Sequence, residues 1–152
     1  MVVFLNYSVT EKKIKEILTK NKSTTILQDV VDVLYERFEK YNWVGIYLVK
    51  GDVLVLGPWK GKQATEHTKI SIGKGVCGSA ARSGKTEVVA DVSKDNRYLS
   101  CFRSTRSEIV VPIIKNNKVI GEIDIDSDVP AAFDKTDERF LEKIADMLCK
   151  HI

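Results

Sequence analysis

Long apolar runs are missing from this 152-residue sequence. Nowhere do about 18 apolar residues follow one another, so no membrane-spanning helix is expected. The opening "MVVFLNYSVTEKK" has a short apolar run but neither preceding basic residues nor a small-residue cleavage site. It does not read as a secretory signal, and the chain is read as cytoplasmic. Blocks of one charge are missing too. Lys plus Arg number 24 against 21 for Asp plus Glu, giving a net charge of +3 with the basic residues spread along the chain. That argues against nucleic acid as a partner. Cysteine is scarce: Cys77, Cys101 and Cys149 are odd in number and form no CxxC. Neither a disulfide framework nor a zinc motif is suggested, and in a reducing compartment such thiols are buried filler or redox groups. Internal repeats, low-complexity tracts and linkers are also lacking, so residues 1–152 read as a single domain.

What is present is an ordinary globular mixture, 43% hydrophobic and 30% charged. "SVTEKKIKEILTK" places Ile14, Ile17 and Leu18 at helical spacing behind the capping candidates Ser8 and Thr10. "STTILQDVVDVLYERFEKY" carries a wide apolar stripe, with Thr25 and Gln28 spaced for a capping box. The middle changes character. Two apolar runs meet at Gly51-Asp52 and two more at Asn116-Asn117, both hairpin signals. "GKGVCGSAARSGK" reads as a glycine-rich turn into a short helix stopped by Gly84. "FDKTDERFLEKIADMLCKHI" is a terminal amphipathic helix. Helices at both ends enclosing about six hairpin-joined strands predict an α+β fold, an antiparallel sheet with helices packed on it.

One stretch breaks the pattern. In "GEIDIDSD" the isoleucines alternate with Glu122, Asp124 and Asp126, which must stand in one row on the face opposite Ile123 and Ile125. Acids are disfavoured in strands and repel when crowded. A solvated sheet face is one explanation. A calcium loop is excluded, because the EF-hand positions for Gly and Glu hold Val129 and Lys135. Recognition of a small cation, such as an amino acid's ammonium, is another, with one carboxyl kept protonated by its neighbours. Cys101 lies among Arg97, Arg103 and Arg106, whose charges favour thiolate. Cys77 follows Gly75 at an expected helix start, where the dipole acts likewise. Cys149, in the terminal helix, is read as structural. Trp43 and Tyr47, four residues apart on a strand, share a face and suit either a core or a pocket wall.

In order and spacing, "NWVGIYLV", "LVLGPWKGK", "IGKGVCGSA", "SEIVVPI" and "IGEIDIDS" resemble the free methionine-(R)-sulfoxide reductases, stand-alone enzymes built on a GAF domain. The resemblance runs from about Trp43 to the end. It implies a GAF-like fold, a homodimer, and a role in repair of oxidative damage without metal or organic cofactor. The implied reaction is thiol-dependent reduction of free L-methionine (R)-S-oxide, with a cysteine sulfenic acid recycled by thioredoxin. Cys101 matches the attacking cysteine. Trp43 and Tyr47 match pocket aromatics, the tryptophan against the substrate methyl. Glu108, Asp124 and Asp126 match the acids that hold the ammonium and sulfoxide groups. Glu122 matches no functional position and is expected on the surface or paired. The family often has a further cysteine where this chain reads "QATEHTK", so the resemblance leaves either Cys77 or the external reductant itself to resolve the sulfenic acid. In place of an acid common after the nucleophile stands Phe102. A non-catalytic GAF sensor that binds an amino acid or nucleotide is the alternative.

The implied site makes one geometric demand. A regular two-residue turn at Asn116-Asn117 would set Glu108 opposite Ile125, on the wrong face. If Glu108 joins Asp124 and Asp126, the hairpin must contain an irregularity between Ser107 and Gly121, with Pro112 a plausible place.

Overall fold

The computed structural model describes residues 2–20, 24–100 and 102–152, with side chains from Asn6 onward. Two helices, α1 (Val2–Lys20) and α2 (Ile26–Arg37), precede strands β1 (Trp43–Lys50), β2 (Val53–Gly61) and β3 (Lys69–Ser71). Helix α3 (Gly75–Ser83), strand β4 (Glu87–Val89), strands β5 (Ser107–Lys115) and β6 (Lys118–Ser127), and helix α4 (Lys135–Leu148) follow. The six strands form one sheet in the order β3-β2-β1-β6-β5-β4, with the paired neighbours antiparallel. The α+β fold expected from the sequence is what forms. No helix among the described residues is long and apolar enough to cross a membrane.

The local chemistry explains most boundaries. Gly51 takes φ +65° in the two-residue β1–β2 turn. Gly84 ends α3 in the left-handed region, its N–H bonded to the Ala80 carbonyl. Two expectations at the N-terminus fail. Helix α1 begins at Val2, so Thr10 lies buried inside it rather than capping it. Thr25 makes no side-chain cap, because Gln28 turns instead to Asp32 and the Trp59 carbonyl. A complete capping box forms at α4, where Asp134 accepts from the Thr136 and Asp137 N–H groups and Asp137 reaches back to the Asp134 N–H.

Apolar side chains fill both faces of the sheet. Under α1, α2 and α4 lie Val44, Ile46, Ile109, Val111, Ile123 and Ile125 with the helix stripes. Within this core Asp137 is fully buried. It accepts from Tyr7 Oη and Tyr41 Oη at 2.7 Å each, from Lys40 Nζ at 2.5 Å and from the Asp134 N–H at 3.0 Å. Burial alone raises its pKa, but Lys40, the Asp134 N–H and the two hydroxyls outweigh it and hold the carboxyl below the usual range. The second core lies on the other face, under α3 and the segment around Phe102, and includes Trp43, Tyr47, Cys77 and Val110.

The β5–β6 hairpin settles which face the acids take. Asn116 and Asn117 both have positive φ, 52° and 64°, the two-residue turn that suits twisted strands. Lys115 pairs with Lys118 and Ile114 with Val119, but Ile113 pairs with Gly121. Ile120 is therefore the extra residue. The expected irregularity is present, on β6 rather than at Pro112, and its consequence is that Glu108 pairs with Asp126.

Candidate active site

Strand β6 sits between β1 and β5, so every acid in its row has a neighbour on each side. Asp126 lies between Glu108 and Trp43, Asp124 between Val110 and Gly45, and Glu122 between Pro112 and Tyr47. The sheet face that carries them is not solvated. Glu108, Glu122, Asp124 and Asp126 are all buried, none more than 5% exposed. The solvated-face explanation is excluded. Glu122 is not on the surface: it is 0% exposed, its neighbour is the Cys77 thiol, and no ion pair among the described residues involves it.

Burial raises the pKa of each carboxyl in the row. Glu122 and Asp126 are pushed well up, first by desolvation and then by the charge of Asp124 between them. Asp124 is raised by desolvation, against hydrogen bonds from Glu108 and Cys77 that favour its charge. Carboxyls packed this closely hold protons that exposed ones would release. Among the described residues, both oxygens of Glu122, Oδ1 of Asp124 and Oδ1 of Asp126 find no nitrogen or oxygen donor. Thr105 Oγ1 lies 3.5 Å from the other Asp126 oxygen.

Aromatic rings close the Asp126 end. Trp43 packs against Phe102, centroids 5.9 Å apart, and stacks on Trp59 at 6.1 Å with 13° between planes. Its indole rests across two glycines. A Cβ on Gly45 would come within 2.4 Å of Cη2, and one on Gly61 within 2.4 Å of Cδ1. Beside it a cavity of about 60 Å³ is lined by Trp43, Phe102, Thr105 and Asp126, among others. A second, of about 10 Å³, lies deeper, among Tyr47, Val76, Cys77, Leu99, Glu108 and Asp124. Tyr47 Oη donates to the His67 carbonyl at 2.7 Å, tying the β2–β3 connection over the site.

Trp43, Tyr47, Cys77, Glu108, Asp124 and Asp126 are thus brought together. Cys101, the expected nucleophile, lies outside the described residues, although Leu99 and Phe102 line the two cavities. The electrostatics expected around Cys77 do not hold. Cys77 is buried 3.8 Å from Glu108 Oε1. Desolvation first, then Asp124, Glu122 and Glu108, push its pKa well up. Three nearby carboxyls outweigh the end of a nine-residue helix, so Cys77 is held as thiol. Arg97 is also engaged elsewhere, on Asp95 at 2.8 Å and Glu87 at 3.1 Å. Sequence reasoning passed over Glu122, Thr105 and the glycine seat of Trp43. Only Glu122 had a visible signal, its place in the acid row.

The GAF domain family matches residues 23–152. The free methionine-R-sulfoxide reductase of Escherichia coli K12 is 40% identical over 118 residues, 78% of this chain and 70% of that one. The free methionine-R-sulfoxide reductase of Saccharomyces cerevisiae is 45% identical over 113 residues, 72% of this chain. This chain spans 62% of the yeast protein's length. The chain belongs to the GAF family, among the free methionine-R-sulfoxide reductases. In three dimensions it is similar to the Neisseria meningitidis free methionine-R-sulfoxide reductase solved in complex with its substrate. The TM-score is 0.88 at 38% identity, with 95% of this chain and 86% of that one covered.

Proposed function

We propose that this protein reduces free L-methionine (R)-S-oxide to L-methionine. One observation carries the reading: the buried carboxyls of Asp126, Asp124 and Glu122, without ion-pair partners among the described residues, run from an aromatic-walled cavity to a second thiol. Buried polar atoms are normally satisfied, so unmatched oxygens in a natural protein call for a ligand that supplies the donors. An amino acid sulfoxide brings an ammonium to Asp124 and Glu108, an S–O group to Asp126 and a methyl group to the indole face. The relatives' shared activity supports the same assignment.

In this mechanism Cys101 thiolate attacks the sulfoxide sulfur while Asp126 or Glu108 protonates the oxygen. The raised pKa of Asp126 favours it as the acid. The oxygen ends on the cysteine sulfur as a sulfenic acid, two electrons pass to the substrate sulfur, and methionine leaves. Cys77 thiol then condenses with the sulfenic acid, releasing water and forming a disulfide. A thioredoxin-like dithiol reduces that bridge by exchange. As in the resemblance noted above, the working unit is a homodimer.

The test is an assay of the purified protein with free methionine-(R)-sulfoxide and dithiothreitol, set against the S epimer and N-acetylated substrate. Turnover of the free R epimer alone is expected. Binding without turnover under both dithiothreitol and thioredoxin would identify a sensor instead.

A further inference from the structure

The inner end of the acid row differs from its mouth. Sγ of Cys77 and one carboxylate oxygen each from Glu108 and Asp124 lie within 4.8 Å of one another, all three residues buried. They line the cavity of about 10 Å³, which has room for a single ion and no more. An acidic cluster with one cysteine would not by itself make a site. The independent observation is Glu122. It is 0% exposed and its carboxyl is directed at the Cys77 thiol, yet among the described residues no nitrogen or oxygen donates to it. No ion pair among the described residues involves Glu122 or Asp124. The amino acid substrate leaves Glu122 unexplained, since Asp124 stands between it and the aromatic cavity.

The geometry points to a binding site for a borderline-soft divalent cation of the zinc class, held by Cys77, Glu108 and Asp124 and supported by the Glu122 carboxyl beside Cys77. The donor set selects the class: one thiolate with carboxylates suits zinc, whereas magnesium and calcium take oxygen alone. The approach needed is small. Tetrahedral bonds of roughly 2.0–2.3 Å put donors roughly 3.4 Å apart, and Sγ and Glu108 Oε1 already stand at 3.8 Å. As the ion enters, the thiol proton and the protons held on the ligating carboxyls leave to solvent, and the sulfur becomes a metal thiolate. The spacing of the cysteines gives no hint of this site because its three donors come from α3, β5 and β6. On the reading above, Glu108 and Asp124 also serve the substrate ammonium, so ion and substrate exclude each other. A zinc-class ion would then hold the enzyme inactive and keep Cys77 out of redox chemistry.

Cadmium serves as the probe, because its thiolate has an ultraviolet charge-transfer band, and binding is read without any turnover. In protein carrying Cys101→Ser and Cys149→Ser, Cys77 is the remaining thiol. Cadmium should produce the band, saturating at one ion per chain, and millimolar magnesium should not displace it. Adding Glu122→Gln should weaken the affinity ~10–100-fold, the range for groups that support a bound metal. A natively melting protein that shows no band, displacement by magnesium, or an affinity unchanged by Glu122→Gln would each overturn the site. If the double substitution does not fold, the wild type minus Cys77→Ser difference spectrum gives the same comparison.

Discussion

The two faces of the sheet bury carboxylates in opposite ways. On the helical face, Asp137 has four donors, one of them a lysine, and its carboxyl is held below the usual range. On the other face, Glu122, Asp124 and Asp126 have unmatched oxygens and pKa values pushed up. The first arrangement ties α1, the α2–β1 connection and α4 together. The second costs stability whenever it ionises, and the cost makes sense only if something outside the protein supplies the missing donors. A satisfied buried charge is architecture; an unsatisfied row is a site.

The largest expected effect is chemical. Cys101→Ser should abolish reduction while leaving substrate binding, because a serine hydroxyl is a far poorer nucleophile towards sulfur; single-turnover methionine release measures it. Next is the satisfied face. Asp137→Ala strands the Tyr7 and Tyr41 hydroxyls in the core and removes the carboxylate partner of half-buried Lys40, and should lower the unfolding free energy by ~2–4 kcal/mol in urea melts, from ~1–3 kcal/mol for each stranded hydroxyl. The unsatisfied face should behave in reverse. Asp124→Asn or Asp126→Asn should cost ~1–3 kcal/mol in kcat/KM, the range for a charge-assisted hydrogen bond, with no comparable loss of stability.

The pH dependence separates the faces by sign. A folded-state pKa below the unfolded one makes Asp137 stabilising above the unfolded value, and that contribution fades as pH falls through its lowered pKa. Asp126 and Glu122 have raised pKa values, so the folded state binds more protons than the unfolded one. Stability should therefore fall as pH rises from the usual carboxyl range through their raised values. Asp126→Asn should flatten that decline, and urea melts across pH report both slopes. The smallest effect concerns the indole seat. Gly61→Ala brings a methyl group against Trp43 and should raise KM about fivefold, a shift of ~1 kcal/mol at the low end of overpacking.

Much of this was legible in residue order. Alternation alone put Glu122, Asp124 and Asp126 in one row, and the parity of the Asn116-Asn117 turn required an irregular hairpin if Glu108 was to join them. The position of the extra residue, Ile120, was not legible, because Pro112 carries a bulge signal and Ile120 none. The state of Cys77 was misread for a related reason. Its helix start is local and visible, but the carboxyls that decide its charge come from β5 and β6, 31 or more residues away. Asp137 was invisible as a hub, since Tyr7, Lys40 and Tyr41 converge on it only after α1 and α4 dock.

The central claim is that the unmatched row is a receptor for a free amino acid sulfoxide. Urea unfolding of Cys101→Ser, which binds without consuming substrate, tests it directly. Free methionine-(R)-sulfoxide at about 100 times its Kd should add roughly 2.7 kcal/mol to the unfolding free energy, whereas the N-acetylated compound, lacking the ammonium, should add none. Equal stabilisation by both compounds, or by neither, would contradict the account.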